Sequence, residues 1–203
     1  STSPERWVPV VSEKSPFQAI RLIQGSLEAN KNGSIVPVIS FSDDISVTCF
    51  DIMGTTLVTG HSMPVINLWK IRDNLELIMS LRGHLVCVSS ISIFGQPWSM
   101  LSVGHEDGTV SLFSMNPARF LRVLQSDSHL RVSLTRCCLS NGDIIVCQMK
   151  EGQSIISLWS VNGEFVNTVT LESKVIDAIC TSFVDGTKTN YIFLLSSDNK
   201  IIT

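Results

Sequence analysis

Charge is what this chain has little of: 16% of its 203 residues are charged, and they sum to -3 at neutral pH. With a pI near 5.8, the basic footprint of phosphate-backbone recognition is missing, so nucleic acid is not an expected partner. Long apolar runs are lacking too. No stretch approaches the roughly 18 residues of a spanning helix. The opening Ser1-Thr2-Ser3-Pro4-Glu5-Arg6 has no signal-peptide apolar region. A soluble, cytoplasmic piece is expected.

Enzyme signatures are also missing. The sequence holds no Gly-x-Ser-x-Gly elbow, no phosphate-cradling glycine loop, no His-Glu-x-x-His and no Cys-x-x-Cys. No catalytic residue, cofactor or metal is expected. Asp43-Asp44 and Glu106-Asp107 are neighbours on turns, where acidic side chains are ordinarily solvated. Six cysteines (Cys49, Cys87, Cys137, Cys138, Cys147, Cys180) are scattered through a chain with an ample core of its own, which reads as buried free thiols in a reducing compartment. Cys137 and Cys138 are adjacent, so on a strand they point to opposite faces and do not share a metal.

What is present is apolar content of 44%, enough for a real core, arranged in short runs of Val, Ile, Leu, Thr and Phe between Gly, Asn, Asp and Ser clusters. The pattern predicts an all-β protein. Strands are expected over residues 45–52, 56–60, 65–71 and 75–81, then 86–93, 100–104, 109–115 and 120–125. A third set covers 132–139, 143–149, 155–161 and 164–171, and a fourth begins at 175–183 and 191–196. Asp107-Gly108 and Asn162-Gly163 are hairpin dipeptides, and Asn141-Gly142, Asp185-Gly186 and Asp198-Asn199 mark further turns. Connections this short exclude parallel crossovers.

An internal repeat organises these runs. Gly60-His61-Ser62-Met63-Pro64-Val65-Ile66-Asn67-Leu68-Trp69 aligns with Gly104-His105-Glu106-Asp107-Gly108-Thr109-Val110-Ser111-Leu112-Phe113, and a third copy ends in Ser157-Leu158-Trp159. The aromatic recurs 44 and 46 residues apart, close to the length of a four-stranded WD blade. Arg82-Gly83-His84 stands where such a blade places its Gly-His pair, so a structural network of His84, Ser102, Asp107 and Phe113 is expected, with Trp69 and Trp159 at the corresponding aromatic position of their blades. Phe113 has no N–H and shortens that chain of bonds by one link. His61 and His105 repeat one position, which marks them as structural.

Residues 1–44 fit the repeat poorly, because Pro4, Pro9, Pro16 and Pro37 interrupt them and Asn30-Lys31-Asn32-Gly33-Ser34 is a loop by composition. They are expected to form an irregular segment or a degenerate first blade. Trp7 and Trp98 lie outside the repeated position; each is either a partner anchor or a blade-to-blade contact.

The third copy carries a resemblance. Cys138-Leu139-Ser140-Asn141-Gly142-Asp143-Ile144-Ile145-Val146-Cys147, followed by Ser157-Leu158-Trp159-Ser160-Val161-Asn162-Gly163-Glu164, resembles the penultimate propeller blades of BEACH-domain proteins of the beige and neurobeachin group. Gly108-Thr109-Val110-Ser111-Leu112-Phe113 is similar to the blade before it, with Phe113 departing from the usual Trp or Tyr. The resemblance implies a scaffold within a very large cytosolic protein, acting in vesicle traffic, sorting to the vacuole or lysosome, and membrane dynamics. It also implies peripheral association with endomembranes through the parent chain.

The expected architecture is a WD-repeat β-propeller of four to five blades, part of a larger ring, with blades at about 45–84, 85–128, 129–174 and an incomplete 175–203. Rigid sheets place function on loops. The turns between second and third strands present Ser62, Met63, Pro64, Glu106, Asp107, Lys150, Glu151, Asp198 and Asn199, expected to bind proteins or peptides. A lipid-binding alternative would need Arg119, Arg122, Arg131 and Arg136 to gather on one face.

Overall fold

The computed structural model describes residues 6–40, 45–83, 85–125, 128–184 and 188–203. His84 lies outside them, as do Asp43, Asp44, Asp185 and Gly186. Among the described residues there are strands and no helix, so no helix is long and apolar enough to cross a membrane.

Among the described residues, nineteen strands form five antiparallel sheets. The first contains β1 (Val8–Pro9), β2 (Ala19–Ile23), β3 (Ser26–Lys31) and β4 (Ser34–Ile39), in sequence order. The opening segment therefore holds a four-stranded sheet. Its prolines sit where a sheet accepts them: Pro9 on a two-residue edge strand and Pro37 on the opposite edge. Asn32-Gly33 is the tight β3–β4 turn, with both residues at positive φ.

The second sheet is β5 (Val47–Met53), β6 (Thr56–His61), β7 (Ile66–Ile71) and β8 (Leu75–Leu81). The third is β9 (Val88–Phe94), β10 (Met100–His105), β11 (Val110–Met115) and β12 (Ala118–Leu124). The fourth is β13 (Val132–Cys137), β14 (Ile144–Lys150), β15 (Gln153–Trp159) and β16 (Phe165–Leu171). The fifth has three strands, β17 (Val175–Val184), β18 (Lys188–Ser196) and β19 (Ile201–Ile202). Expected strand positions hold to within a few residues, because period-two patterning and turn dipeptides specify them locally.

Two compact units result, residues 1–93 and 94–203. Within the first, Phe17, Ile20 and Leu27 of one sheet pack with Val47, Leu57 and Ile71 of the next. Within the second, alternation along β14 sends side chains to two cores. Ile144 and Val146 join Met100, Leu112 and Leu124, while Ile145 and Cys147 join Val175, Ala178 and Leu194. A strand covered on both faces reads as an unbroken apolar run, which is why β14 lacks an apolar–polar alternation.

Register repeats along with sequence. The pairing of third and fourth strands breaks between Leu68 and Trp69, between Leu112 and Phe113, and between Leu158 and Trp159. Each bulge sets its aromatic residue opposite the first or third residue of the outer strand: Trp69 opposite Leu77, Phe113 opposite Phe120 and Trp159 opposite Phe165. The latter two pairs meet edge to face, with ring centroids 5.8 and 5.4 Å apart.

The cysteine expectation needs correction. Cys138 and Cys180 are bridged, with Cα atoms 4.9 Å apart, and Cys49, Cys87, Cys137 and Cys147 are not disulfide-bonded. A separation of 42 residues concealed the pair, since the fourth and fifth sheets must stack before their first strands become neighbours. Cys137, the last residue of β13, packs against the core around Met100 and Ile144, whereas Cys138, just beyond the strand, bonds to Cys180. Burial, and for Cys137 the nearby Asp143 charge, pushes the Cys137 and Cys147 thiols up to about 12.

Candidate functional site

Toward the end of the second strand, four of the five sheets carry a buried polar side chain. Register places His61 opposite Val47, Gln148 opposite Val132 and Ser196 opposite Val175, and Gly104-His105 repeats the place of Gly60-His61. All four are almost fully buried. Each is used locally. Gln148 donates from Nε2 to the Leu130 carbonyl at 2.6 Å and accepts from the Ser128 hydroxyl at 2.7 Å. Ser196 donates to the Lys200 carbonyl at 3.1 Å, and His105 Nε2 meets the Ser111 hydroxyl at 2.9 Å. These residues pin the turn to the sheet, which is a structural task.

A His–hydroxyl–Trp network of this kind is present in the second sheet. Trp69 Nε1 donates to Thr59 Oγ1 at 2.9 Å, and the Thr59 hydroxyl lies 2.9 Å from His61 Nε2. The histidine is thus His61. The Thr59 hydroxyl has two acceptor lone pairs and one proton, so it can meet His61 Nε2 in either tautomer while accepting from Trp69. Nδ1 faces the Ser46 backbone without a hydrogen bond of good geometry among the described residues. In the third sheet Phe113 cannot donate, and the Ser102 hydroxyl instead meets the Thr135 hydroxyl at 2.5 Å, joining two sheets of the second unit. Asp107 accepts from the Thr109 N–H and hydroxyl at 3.0 and 2.7 Å. Burial opposes its ionisation, but the Thr109 bonds and the His105 field outweigh that and hold its carboxyl below the ordinary value. The spacing assigns Ser102 and Asp107 to a network with His84, which lies outside the described residues.

Burial lowers the His61 pKa below its ordinary 6.5, with the Ser46 backbone opposing in part. The unfolded chain takes up a proton that the folded protein resists, so this contribution to stability is complete above about pH 6.5 and fades as pH falls toward the depressed folded value. The urea midpoint is expected to drop between about pH 7 and about pH 5. His61→Gln, which installs the residue found at the same station in the fourth sheet, should flatten that drop. An unaltered slope in the variant would assign it to another group.

The nine turn residues divide between the units. Ser62, Met63 and Pro64 lie in the first, and Glu106, Asp107, Lys150, Glu151, Asp198 and Asn199 in the second. Several are engaged. Glu106 pairs with Arg131 at 2.7 Å, and Asp198 pairs with Lys200 at 2.7 Å and accepts from the Ser196 hydroxyl. Those bonds hold the Asp198 carboxyl down to about 2. Glu151 and Gly152 form the tight turn after Lys150, both at positive φ, which projects their neighbours outward. The four arginines are mostly committed as well. Arg131 serves Glu106, Arg136 serves Asp177 at 3.1 Å and Arg122 donates to the Asn162 carbonyl.

Trp98 has a structural fate. Its indole lies against Gly142, so close that a Cβ there would approach it to 2.9 Å, and its Nε1 donates to the Leu139 carbonyl at 3.0 Å. Trp7 stacks under the Arg21 guanidinium, 4.7 Å from its ring centroid.

A feature that sequence reasoning missed adjoins the fourth sheet. A cleft of about 440 Å³ is lined by Trp159, Phe165, Ile155, Gln125, Gln148 and Ser128, with further hydroxyls beside them. Beside it, β16 (Phe-Val-Asn-Thr-Val-Thr-Leu) is an outermost strand without a charge or proline, and Phe165, Val166 and Val169 on it are 55%, 52% and 51% exposed. The outer strands of the first three sheets carry such guards: Glu76 in β8, Arg119 and Arg122 in β12, Pro37 in β4. The signal was available as seven uncharged residues on an edge, but only the fold shows which strand is the edge.

No family model matches the sequence. Among curated proteins the chain is similar to BEACH domain-containing protein A2 of Arabidopsis thaliana, 26% identical over 149 residues, covering 68% of this chain and 4% of that protein. Among solved structures it is similar to the WD40 β-propeller domain of Doa1, with a TM-score of 0.62 and 21% identity, covering 89% of this chain and 58% of that one. The chain thus spans a small part of the curated relative and somewhat over half of the solved domain. The fold is that of WD-repeat propeller blades, and the resemblance read in the sequence is met by a BEACH-domain relative.

Proposed function

We propose, taking as premise a run of WD-repeat blades similar to part of a BEACH-domain protein, that this chain is a non-catalytic protein-binding scaffold. In that reading it serves a large parent protein in vesicle traffic, sorting to the vacuole or lysosome, and membrane dynamics, at the cytoplasmic face of endomembranes.

The observation that carries the reading is the use made of the chemistry-bearing side chains. His61, His105, Gln148 and Ser196 are buried and bonded within their own sheets, while exposed turns and the uncharged β16 edge remain available to a partner. An extended peptide pairing with β16 and placing an apolar side chain against Trp159 and Phe165 uses both features beside the cleft. The lipid-binding alternative is less supported, because three of the four arginines are already held by protein acceptors.

Pull-down from a cytoplasmic extract with quantitative mass spectrometry tests the reading. Val169→Lys puts a charge on the edge, and Lys150→Ala with Glu106→Ala strips the turns. Partners lost with one variant and retained with the other identify the surface. Neither should lower the melting temperature much, since an exposed pair such as Glu106–Arg131 contributes about 1 kcal/mol or less. Binding unchanged in both variants would reject both surfaces.

A further inference from the structure

We propose that Cys138 and Cys180 are a reversible redox modification site, a thiol pair that a low-molecular-weight disulfide such as oxidised glutathione converts into a staple between the fourth and fifth sheets. Cys138 lies just beyond β13 and Cys180 lies within β17, the first strands of successive sheets in the second unit. Their Cα separation of 4.9 Å falls inside the range that a disulfide spans. Because β14, β15 and β16 all lie between them in sequence, closing the bridge ties off three of the four strands of the fourth sheet.

Selectivity over Cys137 and Cys147 follows from the surroundings. Cys147 is fully buried and Cys137 partly so, in settings that keep both as neutral thiols, which are poor nucleophiles. Cys180 is only partly buried, whereas Cys138 is 2% exposed. Exchange therefore begins at Cys180. Its thiolate attacks one sulfur of oxidised glutathione, forming a mixed disulfide and releasing one glutathione. The Cys138 thiolate then attacks the Cys180 sulfur and releases the second. One disulfide forms and one is reduced, with both protein protons passing to the departing glutathione thiolates. Ser140 Oγ, 3.3 Å from Cys138 Sγ, is placed to donate to the resolving thiolate.

The bridge alters how firmly the fifth sheet is held. Without it, contact with the fourth sheet rests on the Val175 N–H to Ser154 Oγ bond at 2.8 Å, the Arg136–Asp177 pair and the apolar patch of Leu134, Cys147, Val175 and Leu194. Oxidation adds a covalent link to that set. The scaffold reading bears on this only through its cytoplasmic setting, where thiols are reduced by default and a bridge can report oxidation.

The full chain, equilibrated across ratios of reduced to oxidised glutathione, is to be analysed by differential alkylation with peptide mass spectrometry and by thermal melting. Cys138 and Cys180 should lose alkylation together within the glutathione range while Cys137 and Cys147 do not change. The melting temperature should rise by roughly 5–10 °C on oxidation. Cys180→Ser should melt at the reduced value in every buffer, and Cys137→Ser should follow the wild type. Should Cys180→Ser not fold, Cys138→Ser and the wild-type alkylation pattern give the same reading. A pair alkylated at every ratio, a bridge that persists in fully reduced glutathione, or oxidation without a change in melting would each overturn the proposal. A failed pull-down leaves these readouts untouched.

Discussion

Replacing Gly104 with alanine is expected to destabilise the second unit by about 3 kcal/mol, through overpacking where two sheets meet. A Cβ at Gly104 would lie 2.4 Å from Val132 Cγ1, 2.7 Å from Val132 Cβ and 3.2 Å from Thr135 Cγ2. The conflict reaches Val132 Cβ, so a rotamer change alone does not relieve it and β13 itself must move. Gly60 stands in the same relation to Val88 within the first unit, where an added Cβ would lie 2.5 Å from Val88 Cγ1. The glycine of the Gly-His pair is thus set by how closely the next first strand approaches. Urea denaturation reads the cost, and Val132→Ala in the same chain should recover part of it as a non-additive term. Gly152→Ala is the control, because nothing lies within 4 Å of it and only its positive φ opposes a side chain. Equal losses at Gly104 and Gly152 would remove the close-packing explanation.

Trp159→Ala is expected to lower stability by about 3–5 kcal/mol, a large share of the roughly 5–15 kcal/mol that holds a domain folded. Trp159 is nearly buried in the core joining the third and fourth sheets, beside Leu124, Val132 and Ile144, and it supports Phe165 edge to face. Truncation opens a cavity and removes the floor of the cleft. Trp159→Phe should cost much less, since Phe113 occupies the corresponding station of the third sheet and keeps an edge-to-face partner in Phe120. The pair of variants also separates packing from binding: a partner lost with Trp159→Phe at nearly native stability would place it in the cleft. Alanine and phenylalanine variants of equal stability would contradict the core role.

Those two positions show how a repeat becomes legible. The spacing of Trp69, Phe113 and Trp159 is visible in the sequence because each aromatic answers the same local demand, a bulge before it and an outer-strand partner beside it. The bonding partners of Ser102 were not legible in that way. Its hydroxyl goes to Thr135 on a neighbouring sheet, and no local spacing encodes how two sheets stack. His61 could have been found, because a threonine two residues before it and a tryptophan eight residues after it are the members of its network.

The sequence by itself determined that this is an all-β chain, where its strands and turns fall, and the period that marks WD blades. Side-chain alternation and the φ preferences of turn residues act over a few bonds, so they are written in neighbouring letters. Only the tertiary structure decided that the opening segment closes a four-stranded sheet, that Cys138 meets Cys180, and that β16 is left as an uncharged edge beside a cleft. Each of these depends on which surfaces lie against one another after sheets stack, and contact between residues some forty positions apart is a property of packing, which no short window of sequence contains.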